Sequence, residues 1–440
     1  MKKLVLTITL LLALPAIVLG EEGKFPRPKF KQAYEFPKLV APPIKAQWWG
    51  YIDTAALVAA MSIGAYLVFK RRSRRSVFVL MALSLLYFGF YRKGCICPIG
   101  SIQNVAMSIG PNGYALPWVV AAFFGLPLLF TLFFGRVFCG TTCPLGAIQD
   151  AVLWRPVKVP AWLERGLGLF PYMYLGLAVV AAYIGADYLI CRYDPFIGLF
   201  RLSGPQYMLL LGGLFLVTCI FVGRVYCRFI CPYGAILRLI SPLSWKRVTI
   251  TPKDCVDCRL CEESCPFGAI RHPTPAQPSK NRPRDRRVLL VSILALPILM
   301  AGFAWLGWRT GPTVAGLDFN VKLAVKVAQE QRDGTPGLLD ETKRFWDSGA
   351  APAELYAKAE QIRKRFSAGM VVFGSWVGAV IGLSLITASV RRFRTGYIAD
   401  AGTCVACARC YQTCPVEHAR RTGRDVDEIV AEMTEAVGAK

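Results

Sequence analysis

Two cysteine runs with one spacing constrain this 440-residue chain more than anything else in it. Cys255-x2-Cys258-x2-Cys261-x3-Cys265-Pro266 and Cys404-x2-Cys407-x2-Cys410-x3-Cys414-Pro415 both match the bacterial ferredoxin pattern. That pattern wraps thiolates around a [4Fe–4S] cluster, and its fourth Cys ligates the neighbouring cluster of a two-cluster domain. Two complete copies therefore predict two [4Fe–4S] clusters and one-electron chemistry. A four-Cys zinc site is the alternative, but zinc spacing more often sets two Cys-x2-Cys pairs apart by a longer loop. The intervening chain contains two long apolar stretches, so pairing the runs requires it to leave and return to the same side.

Hydrophobic residues make up 54% of the chain and mean hydropathy is +0.42, which fits a multi-pass membrane protein. Residues 1–20 have a basic start, a short apolar core and a small-residue end, the pattern of a signal peptide, with an uncleaved anchor as the alternative. Apolar spans are expected at about Tyr51–Val68, Val77–Tyr91, Tyr114–Phe134, Leu169–Ile190, Tyr207–Val222, Val288–Trp308 and Ala368–Val390. The second is short, so Arg74, Arg75, Arg92 and Lys93 are expected to snorkel to the interfaces. Basic loops at 70–75, 271–287 and 391–394 fall on one side if the C-terminus is cytoplasmic, which places both ferredoxin runs there. The reading is mainly α: a multi-pass transmembrane helical bundle with a pseudo-repeat, plus a cytoplasmic ferredoxin-like domain for two clusters. Its divisions are an extracytoplasmic tail 21–48, a transmembrane core 49–245, the first ferredoxin run 246–286, a helical hairpin 287–390 with an extracytoplasmic segment 309–367, and the second run 391–440.

The core repeats itself. Phe133–Asp150 aligns with Phe221–Arg238, and ten of the 18 positions are identical, including both Cys, the Pro and an Arg. Pro144 and Pro232 suit a first helical position, which sets the preceding Cys at a helix N-terminus where the dipole favours thiolate. Arg136 and Arg224 add positive charge. Cys139, Cys143, Cys227 and Cys231 are thus expected to meet as four thiolates holding a third iron–sulfur cluster, with separate packing or disulfide pairs as the alternative. A less regular pair matches Cys95-Ile96-Cys97-Pro98 to Cys191 and Asp194-Pro195. Cys95, Cys97, Cys191 and Asp194 are expected to form a metal or cluster site. Alternatives are a disulfide from Cys191 to Cys95 or Cys97, and a turn or cap for Asp194. Cys219 is expected to pack in mid-span.

The net charge of +24, from 52 basic and 28 acidic residues, follows from the basic loops and the anionic clusters. No nucleic-acid module, Gly-rich nucleotide loop or haem motif is present, and only two histidines occur.

Paired Cys-x3-Cys-Pro motifs in a multi-span core followed by two ferredoxin runs resemble the NapH/NosR-type membrane polyferredoxins, over roughly 51–266 and 401–415. The resemblance implies a protein of the cytoplasmic membrane that passes electrons between the quinone pool and partner redox proteins. The chain departs from it in lacking an extracytoplasmic flavin domain, in having two extra spans between the runs, and in the Cys95–Asp194 group. The expected function is membrane-bound iron–sulfur electron transfer between quinone or another donor and a partner protein. A redox-sensing or maturation factor for a partner metalloenzyme is the alternative.

Overall fold

Long apolar stretches have one cheap way to satisfy their backbone in lipid, which is to hydrogen-bond it along a helix. The computed structural model follows that rule. It describes residues 47–428 apart from 95–96, 112, 204, 251–254, 256, 275–281, 335–336, 338–339, 391–392, 424 and 426–427. The leader, most of the basic tail, Cys95, Arg391 and Arg392 lie outside the described residues.

The core helices are α1 (Trp48–Tyr66), α2 (Arg74–Ser84), α3 (Pro98–Ile109), α4 (Trp118–Phe134), α5 (Pro144–Ala151), α6 (Phe170–Tyr183), α7 (Gln206–Cys219) and α8 (Pro232–Ile240). After them come α9 (Arg282–Ala315), α10 (Phe319–Asp333) and α11 (Pro352–Ser389). Five helical stretches are long and apolar enough to cross a membrane: Trp48–Arg71, Arg74–Tyr91, Ala161–Tyr183, Pro283–Ala315 and Pro352–Ser389. The expected spans at 114–134 and 207–222 form shorter apolar helices, α4 and α7, of 17 and 14 residues. The chain is a membrane protein.

Two expectations about charge fail. Arg74 does not snorkel; it turns inward, 9% exposed, and its Nη2 lies 3.1 Å from Asp150 Oδ2. Arg92 likewise pairs with Asp53, a fully buried carboxylate in α1 that also accepts the Tyr87 hydroxyl at 2.9 Å. An aspartate inside an apolar helix is costly unless paired, and both partners come from the next span.

The hairpin α9–α11 is held by close backbone approach. A Cβ at Gly307, Gly374 or Gly378 would lie 2.1–2.5 Å from carbonyl oxygens of the opposite helix, so only glycine lets these helices pack. Helix α11 continues well beyond the expected span, and its polar first half packs with α10 around Val321, Val327 and Leu355. The hairpin docks on the core where the Trp376 indole donates to the Tyr172 carbonyl at 2.7 Å.

Beyond the hairpin the chain returns to its start. Ile270–Arg271 pairs antiparallel with Ile398–Ala399, in the register Ile270↔Ala399. The two ferredoxin runs are thereby joined despite the 100-odd residues between them, and Thr413 Oγ1 lies 2.9 Å from Ser264 Oγ across the same seam.

Candidate iron–sulfur centres

In each ferredoxin run the backbone turns left-handed at equivalent places. Asp257 and Arg259 flank Cys258 with φ of 57° and 61°, while Ala406 and Ala408 flank Cys407 with 53° and 60°. Each such non-glycine residue costs on the order of 1 kcal/mol, so the same strain at the same two positions of both runs marks a built feature. The effect is to curl the chain around an enclosed space. Cys255, Cys258, Cys261 and Cys414 line one cavity. Cys265, Cys404, Cys407 and Cys410 line another. Each cavity therefore has three thiols from one run and the fourth Cys of the other. Cys255 is exposed, so its cavity is the distal one. Burial pushes the Cys261 and Cys404 thiols up to about 12, so bare thiolates are unfavourable here and ligand binding must expel their protons.

The four thiols of the core repeat lie in one apolar cluster with Phe138, Tyr226 and Tyr233. Cys143 and Cys231 are the N-caps of α5 and α8, with Pro144 and Pro232 at the first helical positions as expected. Cys143 lies within electrostatic reach of Cys139 and Cys227, and Cys231 within reach of all three others. None of the four is in a disulfide. Three sulfurs already receive N–H groups. Gln149 Nε2 donates to Cys227 at 3.2 Å, Gly234 N to Cys231 at 3.3 Å and Arg136 Nη2 to Cys139 at 3.8 Å. Cys219 does not sit in mid-span. It ends α7, fully buried, and its thiol donates to Gln149 Oε1 at 3.6 Å.

Cys139 also packs against Phe267, Ala269 and Val405, the small cluster shared with Cys265, Cys404 and Cys407. The next residue explains how. A Cβ on Gly140 would lie 2.0 Å from the Val405 carbonyl oxygen, so glycine alone permits this contact between membrane core and second ferredoxin run.

The same seam holds a layer of cations, buried at Arg74, Arg136 and Arg224 and partly exposed at Arg409. Asp150, with a fully buried side chain, lies 3.1 Å from Arg74, 3.0 Å from Arg224 and 3.8 Å from Arg409. Arg74 also donates to the Cys407 carbonyl, Arg224 to the Cys139 carbonyl and Arg136 to the Gly402 carbonyl, at 3.2, 2.5 and 2.8 Å. One carboxylate thus faces three guanidinium groups. The Nε atoms of Arg136 and Arg409 are buried without a partner, and Arg409 lines the proximal cavity. Surplus buried cations with orphan donors beside thiol-lined cavities fit an anionic thiolate–iron–sulfide group. Among the described residues no three Cys, His, Asp or Glu side chains converge on a single metal ion. The thiols ring spaces rather than points.

Cys97 and Cys191 share a separate cavity with Asp194. Cys97 is a free thiol, so no bridge joins it to Cys191. Asp194 is buried and its Oδ1 accepts the Phe196 backbone N–H at 2.8 Å, the expected turn. Sequence reasoning missed Asp53, Asp150, Gln103, Gln149 and Gly140. For Gln149 a signal was available: Cys-Pro-x-Gly-x-Ile-Gln occurs at both 97–103 and 143–149.

Known families agree with this chemistry. One 4Fe-4S binding domain family matches residues 116–169 and again 205–250, and a second 4Fe-4S binding domain family matches 248–271. An uncharacterized protein, MJ0750, of Methanocaldococcus jannaschii is 31% identical over 192 residues, which cover 43% of this chain and 80% of that protein. The chain belongs to the family of that archaeal protein. Two further relatives match over smaller parts. The putative electron transport protein YccM of Escherichia coli is 25% identical over 26% of this chain and 34% of its own length. Uncharacterized protein MJ0749 of Methanocaldococcus jannaschii is 36% identical over 15% of this chain and 27% of its own. No solved structure matches.

Proposed function

We propose that the protein is a membrane electron conduit with three [4Fe–4S] clusters. Cys255, Cys258, Cys261 and Cys414 hold the distal cluster, Cys404, Cys407, Cys410 and Cys265 the proximal one, and Cys139, Cys143, Cys227 and Cys231 the third. Bound clusters supply one-electron oxidation and reduction. The observation that carries the reading is the packing of Cys139 against the wall of the proximal cavity. It gives electrons a continuous route from the core repeat to the exposed Cys255. Arg74, Arg136, Arg224 and Arg409 compensate the clusters' charge, and the apolar cluster around Cys143 and Cys231 excludes water. Iron–sulfur electron transport also suits the likeness to YccM, a putative electron transport protein. In this reading the protein belongs to the cytoplasmic membrane, its ferredoxin runs face the cytoplasm, and it links the quinone pool or another donor to a partner redox protein, in the manner of the NapH/NosR type.

Iron counting tests the third cluster. Protein prepared without oxygen should carry about twelve irons on these ligands, at four per cluster. Cys143→Ser should remove about four and leave the ferredoxin EPR signals in place. Iron unchanged by that substitution would remove the core cluster.

Sidedness has its own test. Gly334 lies at the far end of the hairpin from the β-paired runs, so a reporter fused there should be active outside the cytoplasm and one fused after Cys414 inside. Activity of both on the same side would overturn the orientation.

A further inference from the structure

The cavity shared by Cys97, Cys191 and Asp194 is built like the thiol site of the core repeat, and the likeness is carried by two glutamines. Gln103 and Gln149 close the same segment, Cys-Pro-x-Gly-x-Ile-Gln. Both are fully buried. Gln149 Oε1 accepts from the Tyr226 N–H at 3.1 Å, and its Nε2 donates to the sulfur of the next residue, Cys227, at 3.2 Å. Gln103 Oε1 accepts from the Ile190 N–H at 3.0 Å and from the N–H of the next residue, Cys191, at 3.3 Å. Its Nε2 is buried and has no partner. One amide nitrogen is thus spent on a sulfur, while its counterpart is left over on a side chain whose oxygen holds the backbone N–H of the matching cysteine. A buried N–H without an acceptor is costly, which is a reason to expect an acceptor there.

The surroundings supply a space and ligands. Cys97 is the N-cap of α3 with Pro98 at the first helical position, as Cys143 and Cys231 are in theirs. Cys97, Cys191 and Asp194 line one cavity, with Gly94 and Gly100 in its wall. A Cβ at Gly100 would stand 3.3 Å from Cys191 Sγ, so glycine keeps that sulfur's neighbourhood open. Among the described residues the three groups do not converge on a single ion. Cys97 also packs in the same apolar core as Cys143 and lies within its electrostatic reach.

We propose that this cavity holds a further iron–sulfur centre, ligated by Cys97, Cys191 and Asp194, with the Gln103 amide as hydrogen-bond donor to its sulfur. A remaining iron corner is left to a non-protein ligand. The centre extends the electron route beyond the core repeat, and it stands whether or not the Cys143 site holds a cluster.

The test is iron and acid-labile sulfide per chain in the full-length protein purified without oxygen and reconstituted with ferrous iron and sulfide. Cys191→Ser and Cys97→Ser should each remove about three to four irons, the content of one cluster. The iron that depends on Cys143 should remain, so the two sites fail separately. Gln103→Leu keeps every ligand; it should retain the iron but lower the midpoint potential of one EPR signal, because the lost N–H donor stabilised the more negative reduced state. The other signals should not move. Unchanged iron in both Cys variants would overturn the proposal. So would iron lost only together with the Cys143-dependent cluster, or a Gln103→Leu protein with every potential unaltered. If a Cys variant does not fold, the Gln103→Leu titration decides.

Discussion

Asp150→Asn should destabilise the folded protein by about 3–5 kcal/mol, the cost of leaving a buried ion pair without one partner. Asp150 is the single carboxylate among Arg74, Arg224 and Arg409, and its side chain is fully buried. Arg74 reaches it from α2, Arg224 from the second repeat and Arg409 from the second ferredoxin run. Removing its charge therefore loosens three segments at once, including the one that carries Cys407 and Cys410. Loss of iron on warming in detergent, followed beside the loss of helical signal, is the measurement. The iron should leave at lower temperature than in the unmodified protein. Adding Arg74→Met should restore part of the loss, since one uncompensated cation goes with it, and a double-mutant cycle would show the coupling. An Asp150→Asn protein as stable as the parent would mean that cluster charge alone balances the arginines.

Cys265→Ser should empty the proximal site, not the one built on its own run. Cys265 lines the cavity of Cys404, Cys407 and Cys410, while Cys414 lines that of Cys255, Cys258 and Cys261. About four irons should go, and the surviving ferredoxin EPR signal should be the one abolished by Cys258→Ser. The loss should also break the proposed electron route, because the proximal cavity is the one that Cys139 packs against. The distal cluster should then stay reducible by a soluble donor but lose contact with the membrane core. A Cys265→Ser protein that instead loses the Cys258-dependent signal would show that each run serves its own cluster.

Much of this was legible in the residues because it depends on local spacing. The ferredoxin runs, the Cys-Pro helix starts at 143 and 231, and the approximate positions of seven apolar helices all follow from patterns a few residues to two dozen residues long. The helix limits were less legible. Helix α11 absorbs a polar stretch that reads as a separate segment, since helix propagation is cheap once the span has nucleated it.

The charges were the least legible. Arg74 and Arg92 look like interface anchors because their partners, Asp150 and Asp53, lie 76 and 39 residues away in the chain. The segment shared by 97–103 and 143–149 marks Gln149 without showing its partner, and Gly140 looks like an ordinary position of a short helix. Their roles come from a sulfur on the other repeat and a carbonyl on a run more than 260 residues further on.

The ferredoxin spacing and the membrane character are therefore properties of the residue order, because cysteine spacing and apolar length act over a few turns of chain. Which fourth cysteine faces which cavity, where the surplus arginines are buried, and how the core meets the ferredoxin runs are set by packing between distant segments. Close approach at Gly140 and the shared carboxylate of Asp150 exist only once those segments are brought together, and nothing in the local sequence encodes them.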